Sequence, residues 1–362
     1  MKIGVWISRL SQLRHVESLL RAAALKGHQT CLYLDQSLAG GPKDRQTPRR
    51  STLPARIADL AECVTESHPA EPDLIGFRPE VLVATYAPGL RPRRMGCPTA
   101  FVQGAFTDLM DWADPADWDR MFTWTPAWSG WWSQWRQWRG IPSPDSLIPV
   151  GMPQADLLPV PLENGRRVVL LPFPTSLVPV WARPGSWQRE LALMRTLRAF
   201  CDRANARLIV KTRDKTPLTP RARALADAVV EDGADPDLLW LLSGDTVLVH
   251  FCSTGVAEAA AAGVPSRCLV PPRYMWRPYV HRARRLAEFS PWSKNSFYNW
   301  HPVVQADSVG ATVKVLETAE TWEDWVPRLH PFRLARYRER FIGLPPYRAG
   351  ERMLAELETL AG

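Results

Sequence analysis

Apolar positions along the chain fall into short continuous runs alternating with helical stripes. Residues 2–7 form an apolar run of strand length. Over 13–25, Leu13, Val16, Leu19, Leu20, Ala23 and Ala24 recur at helical spacing, and Gly27 follows as a stop. Residues 30–34 read as a second strand, 39–50 as a polar loop, 55–65 as a helix, and 81–85 and 99–103 as short strands. Turn-formers cluster at 157–166, and then the pattern restarts. It gives a strand at 167–171, a helix at 187–204, a strand at 207–211 and a helix at 220–230. Residues 300–362 read as mostly helical, with candidates at 322–325, 332–341 and 349–360.

Alternating strands and helices predict parallel sheets covered on both faces. The expected class is α/β, with two Rossmann-like doubly wound domains facing a central cleft and a C-terminal helical segment. The N-terminal domain covers 1–156, the linker 157–166, the second domain 167–330, and helices at 331–362 pack back on the first. Ligands of such sheets bind at the carboxyl ends of the strands.

Bulk properties narrow the classes. A length of 362 residues accommodates two domains, and 46% hydrophobic with 23% charged residues is a globular balance. No apolar run reaches the roughly 20 residues of a membrane span. The first seven residues carry one Lys and no long apolar core, so they read as a strand and not a secretion signal, and a cytoplasmic location is expected. The six cysteines show no close pairing and no C-x-x-C, which predicts reduced, buried thiols. A net charge of +8 suits phosphorylated substrates, an anionic membrane surface or nucleic acid. The absence of a long basic run or a nucleic-acid module ranks nucleic acid last.

The segment from Val247 to Pro265 carries the most chemistry. It reads as a strand, the small polar turn Ser253-Thr254-Gly255, a helix, the stop Gly263-Val264-Pro265 and a strand at 266–270. This order sets a helix N-terminus at the end of a buried strand, where backbone N–H groups and the helix dipole attract phosphate. Ser and Thr there also suit plain helix capping. Glu258 lies four residues after Thr254 and five after Ser253, which is too far for a capping box. Lys211, Arg213 and Lys215 alternate beyond the strand at 207–210 and suit a diphosphate, or a solvated basic loop. The aromatic and basic stretch 273–285 follows the strand after the turn.

Of 17 tryptophans, eight lie between 112 and 138. Trp128, Trp131, Trp132, Trp135 and Trp138 make one broad helical stripe. Core packing is its plainest reading. Stacking on sugar rings, or docking on an anionic membrane through Trp131 and Trp135, are the functional ones. Asp117-Trp118-Asp119 spells a D-x-D in a generally acidic stretch, and no His/Cys cluster accompanies it, so no metal is expected.

Four motifs in order resemble the GT-B glycosyltransferases. They are the helix from His15 to Gly27-His28, the sequence Gly151-Met152-Pro153-Gln154-Ala155-Asp156-Leu157-Leu158, the turn 253–255 with Glu258 and Gly263-Val264-Pro265, and Pro346-Tyr347-Arg348-Ala349-Gly350-Glu351-Arg352. The nearest group comprises CDP-glycerol glycerophosphotransferases, surface-carbohydrate transferases and the related UDP-N-acetylglucosamine 2-epimerases. The resemblance implies a glycosyltransferase that moves a sugar from a nucleotide-activated donor to a carbohydrate or lipid-linked acceptor in cell-envelope synthesis, peripheral at the inner membrane face. It implies no cofactor beyond the nucleotide-sugar substrate. Ser253, Thr254, Gly255, Lys211 and Arg213 would hold the donor diphosphate, Glu258 the donor's hydroxyls, and His15 or Asp108 would deprotonate the acceptor. The group often carries Gln-His-Gly where this chain has Gln103-Gly104-Ala105, so that His is missing. A 2-epimerase and a non-catalytic nucleotide- or carbohydrate-binding homologue are the alternatives.

Overall fold

The computed structural model describes all residues except 42–46, 70–75, 86–89, 105–117, 139–145, 159–164, 173–185, 213–217, 232–237, 243 and 271–286. The chain divides into two compact units. One comprises Met1–Leu157 with Glu339–Gly362, the other Leu158–Asp232 with Pro236–Arg338.

The first unit is built on seven parallel strands: β1 (Lys2–Ile7), β2 (Gln29–Asp35), β3 (Cys63–Ser67), β4 (Val81–Ala84), β5 (Thr99–Val102), β6 (Arg120–Thr123) and β7 (Leu147–Pro149). Their order is β3-β2-β1-β4-β5-β6-β7. β1 and β4 are apolar almost throughout because both sheet faces are covered. Helix α1 (Leu13–Leu25) sets Leu13, Val16, Leu19 and Leu20 against Ile3, Val5 and Ile7. Gly27 ends it in the left-handed region at φ 72°. A four-residue helix, α2 (Ala55–Ala58), and a Trp-rich helix, α3 (Pro126–Trp138), complete the first pass of the chain.

The last helix of the chain, Ala349–Ala361, returns to this unit. Met353, Leu354 and Leu357 join the same core. At Gly350 a Cβ would fall 2.2 Å from the Ser18 carbonyl oxygen, so the absence of a side chain there permits the close crossing with α1.

The second unit repeats the scheme with six parallel strands: β8 (Arg166–Leu171), β9 (Ala206–Lys211), β10 (Ala228–Val230), β11 (Thr246–His250), β12 (Ser266–Val270) and β13 (Val304–Ser308). They are ordered β10-β9-β8-β11-β12-β13. Its helices are α4 (Ser186–Arg203), α5 (Pro220–Arg223), α6 (Leu238–Leu241), α7 (Gly255–Ala262), α8 (Val309–Thr318) and α9 (Trp322–Trp325). Helix α10 (Pro331–Phe341) and helix α11 (Ala349–Ala361) close the chain. Phe200 of α4 packs against Trp322 and Trp325, beside Val168, Leu170 and Leu197.

Three expectations from the sequence need correction. The stretch 55–65 is helical only at Ala55–Ala58, and Cys63–Ser67 is an edge strand that pairs with β2. Likewise 220–230 is helical only at Pro220–Arg223, and Ala228–Val230 pairs with β9. In both, the β-branched residues of the second half gain more from a neighbouring strand than from one more helical turn. Finally, not all six thiols are reduced. Cys31 and Cys63 face each other across β2 and β3 and form a disulfide. Cys97, Cys201, Cys252 and Cys268 are free.

Candidate functional site

In each sheet the strand order reverses once, between β1 and β4 in the first unit and between β8 and β11 in the second. Such switch points leave a crevice at the carboxyl ends of the two strands, where ligands of open α/β sheets bind. The turn after β11 and the loop after β1 sit at these two places.

The turn after β11 is built by His250, the last residue of the strand, which is fully buried. Its Nδ1 accepts the Ser253 N–H at 3.1 Å. Burial lowers its pKa to about 3, so the ring is neutral and Nε2 carries its proton. Cys252 takes a left-handed conformation, φ 47°, which reverses the chain into α7. Ser253 Oγ then accepts the Gly255 N–H at 3.3 Å, and the Ser253 and Thr254 carbonyls accept from Val256 and Ala257. A Cβ on Gly255 would lie 2.7 Å from a Leu238 methyl and 3.0 Å from a Leu171 methyl, so a side chain there would require both leucines to shift.

Much of the donor capacity anticipated at this helix start is therefore spent within the turn. Ser253 does the capping. Thr254, the formal N-cap residue, makes no side-chain cap bond and is partly exposed. Glu258 is buried at 3% exposure in the first turn of α7. Lys211, the last residue of β9, is also buried, and Arg213 lies outside the described residues.

At the carboxyl end of β1, in the first unit, a second polar group assembles. Gln12 Oε1 accepts the N–H groups of Ser8 and Arg9 at 2.9 and 3.1 Å and shapes the loop. Asp35, at the end of β2, accepts from Ser8 Oγ at 2.8 Å and Trp6 Nε1 at 3.4 Å. His15, in the first turn of α1, is 7% exposed, and its Nδ1 meets the Gln154 amide nitrogen at 2.5 Å. Burial, and then the charge of Arg14, hold the His15 pKa well below its ordinary value.

Gln154 belongs to the Gly151–Asp156 motif, whose members have separate tasks. Gly151 takes φ 99°, and Asp156 accepts the Ala349 and Gly350 N–H groups at the start of α11. Gln154 also donates to the Gly104 carbonyl at 3.4 Å. Neither Gln154 nor Asp35 was singled out from the sequence. Their partners lie 139 and 27 residues away along the chain, beyond the reach of local spacing.

Gln103, the first residue of the Gln103-Gly104-Ala105 stretch, is structural. Its side-chain oxygen accepts the Trp124 N–H at 3.0 Å and its carbonyl accepts the Trp124 indole at 2.8 Å, tying β5 to the end of β6. The alternative base Asp108 lies outside the described residues. Of the two tryptophans expected at a membrane or acceptor surface, Trp131 is packed inside the first unit. Trp128, Trp131 and Trp132 are buried. Trp131 stacks on Phe341 at 5.7 Å, meets Trp128 edge-on at 5.4 Å and lies beneath the Arg340 guanidinium. The side chain of Trp135 lies outside the description.

Among the described residues, no helix is long and apolar enough to cross a membrane. None of their His, Cys, Asp and Glu side chains gather in threes where a metal ion could be held.

No protein-family model matches the chain, and no curated protein matches it in sequence. Its fold matches solved structures over nearly its whole length. UDP-GlcNAc 2-epimerase from Methanocaldococcus jannaschii aligns with a TM-score of 0.52 at 10% identity, covering 99% of this chain and 100% of that one. MnaA of S. aureus, in a structure with UDP, aligns at 0.56 and 12% identity, covering 99% and 96%. UGT89C1 of Arabidopsis thaliana, complexed with UDP-L-rhamnose, aligns at 0.53 and 11% identity, covering 98% of each chain. With two parallel, doubly wound α/β units and a helical C-terminus, the chain has the GT-B fold, which it shares with UDP-GlcNAc 2-epimerases and GT-B glycosyltransferases.

Proposed function

We propose that the chain is a nucleotide-sugar enzyme, and specifically a glycosyltransferase that moves a sugar from a nucleotide diphosphate donor to an acceptor hydroxyl. The observation that carries this reading is the turn 251–254, which enters α7 at the switch point of the second sheet. The donor diphosphate would meet the Thr254 N–H and hydroxyl at the positive end of the α7 dipole. Lys211 and Arg213 would offset the charge that develops on the leaving nucleotide. Glu258 would help shape the donor pocket from within the first turn of α7. His15 would meet an oxygen of the acceptor at the carboxyl end of β1, and Asp108 is the proposed base. The acceptor in this proposal is a carbohydrate, free or lipid-linked, of the kind used in cell-envelope synthesis.

A 2-epimerase is the second reading. It is supported by the M. jannaschii 2-epimerase, whose fold aligns about as well as that of the plant transferase. Thermal-shift screening with UDP-, GDP-, CDP- and CMP-sugars tests the shared part. At least one should raise the melting temperature, by mass action on the folded state. If none does, the nucleotide-sugar reading fails. Product analysis of the bound sugar nucleotide with and without acceptor then separates the two chemistries. Epimerisation without acceptor would overturn the transferase reading.

A further inference from the structure

His15 and Gln154 come together from opposite ends of the first unit's N-terminal segment. His15 lies in the first turn of α1, and Gln154 lies in the tight turn Pro153–Leu157. Both are buried. The Gln154 amide nitrogen has two hydrogens and no acceptor capacity. It faces two acceptors, His15 Nδ1 at 2.5 Å and the Gly104 carbonyl oxygen at 3.4 Å.

Reversing the amide would turn its oxygen toward the Gly104 oxygen and leave two acceptors face to face. In the observed orientation Gln154 Oε1 is the amide atom left without a hydrogen-bond partner. The reverse orientation would leave the nitrogen in that same spot, and so would gain nothing there. The orientation in which nitrogen faces His15 is therefore the favoured one. A ring nitrogen that accepts a hydrogen bond carries no proton. A neutral imidazole has a single N–H, which here must be on Nε2.

The consequence bears on chemistry. A general base needs a lone pair on the nitrogen that faces the hydroxyl. A carboxylate on Nδ1 would draw the ring proton to Nδ1 and leave that lone pair on Nε2. An amide nitrogen on Nδ1 does the reverse. We propose that Gln154 is a positioning residue that holds His15 in the tautomer protonated at Nε2, making His15 a neutral hydrogen-bond donor to a substrate oxygen and not the group that removes its proton. This deepens the role given to His15 above, and rests on that reading for the identity of the oxygen. It leaves proton removal to another group of the enzyme.

The test needs no turnover. The full chain, labelled with 15N-histidine, is examined by long-range proton–nitrogen correlation NMR between pH 6 and 8. The His15 resonances are identified by their loss in His15→Gln. Wild type should show an unprotonated Nδ1 and a protonated Nε2 throughout. Gln154→Glu should exchange the two patterns and bring the ring's titration up into the range. A wild-type His15 protonated on Nδ1 overturns the proposal, as does a Gln154→Glu spectrum with the wild-type pattern. If Gln154→Glu does not fold, Gln154→Leu should give a mixture of both tautomers, and an unmixed wild-type pattern in it also overturns the proposal. Absence of nucleotide-sugar binding would refute the functional reading while leaving the tautomer result intact, so the two failures are distinguishable.

Discussion

The Asp156 carboxylate caps the last helix of the chain. It accepts the Gly350 N–H at 2.8 Å and the Ala349 N–H at 2.9 Å, across 194 and 193 residues of sequence. The N-cap residue Arg348 makes no side-chain cap bond, so Asp156 fills that place from another part of the chain. Asp156→Ala should cost about 0.5–2 kcal/mol, the range for loss of a helix cap. Burial raises the Asp156 pKa despite these bonds. The folded state therefore holds this proton more tightly than the unfolded state does. Its contribution is most favourable below the ordinary carboxylate value and falls as pH rises through the higher folded value. The difference in urea midpoint between wild type and Asp156→Asn should shift against the wild type as pH rises from 3.5. Parallel curves would remove Asp156 from this role.

Gly350 lies under the same crossing. A methyl group there would sit 2.2 Å from the Ser18 oxygen and 2.9 Å from the Leu19 nitrogen, both backbone atoms that cannot rotate away. Gly350→Ala should lose about 1–3 kcal/mol or more through forced separation of α1 and α11, despite the better helix propensity of Ala. The melting temperature reports it. A stabilised variant would contradict the close crossing.

The sequence revealed the elements whose pattern is set by burial on both faces. β1, β4, β5 and β11 are nearly all buried, and each reads as a mainly apolar run. The edge strands β3, β7 and β10 are only partly buried, so their patterns are weak and two of them resembled helix continuations. The turn 253–255 was visible because strand, turn and helix are consecutive. Its engaged N–H groups were not, because they depend on where His250 and Ser253 point. Gln154 sat in plain view within a motif, but its meaning depends on His15 and Gly104, which the fold alone brings to it.

The Cys31–Cys63 pair was hidden for the same reason. The two residues are 32 apart, and only the register of β2 on β3 sets them opposite each other. Titration of the unfolded, non-reduced chain should give four thiols, those of Cys97, Cys201, Cys252 and Cys268. Six would refute the bond. Cys63→Ser should lower stability by about 2–4 kcal/mol under non-reducing conditions, mainly by freeing the unfolded chain.

Two buried histidines make stability depend on pH near neutrality. Burial brings the His250 pKa to about 3 and, with Arg14, holds that of His15 well below its ordinary value. Both should titrate near 6.5 in the unfolded chain. As pH falls below that value the unfolded state takes up protons that the folded state refuses, so stability is lost on acidification. Each such group has a limiting slope of about 1.4 kcal/mol per pH unit. Unfolding midpoints at pH 7.5 and 5 should separate more in wild type than in His250→Asn, whose amide can still accept the Ser253 N–H but has no proton to gain. Equal separations would show that His250 does not contribute.

Thr254 allows capping and ligand binding to be told apart at α7. Ser253 supplies the side-chain bond to the helix start, whereas the Thr254 side chain supplies none. Thr254→Val keeps the shape and removes only the hydroxyl. Its effect on stability should stay within about 0.5 kcal/mol, as for a surface substitution away from any cap. If that hydroxyl meets the donor diphosphate, its loss removes a hydrogen bond to a charged group, about 1.5–3 kcal/mol, and nucleotide-sugar affinity should drop at least tenfold. Ser253→Ala should show the complementary pattern, with a clear loss of stability from the missing bond to Gly255. Calorimetric titration with the nucleotide sugar that stabilises the wild type, beside urea unfolding of both variants, gives the two readings. Unchanged affinity in Thr254→Val would leave the turn as a helix cap and move the diphosphate elsewhere in the second unit.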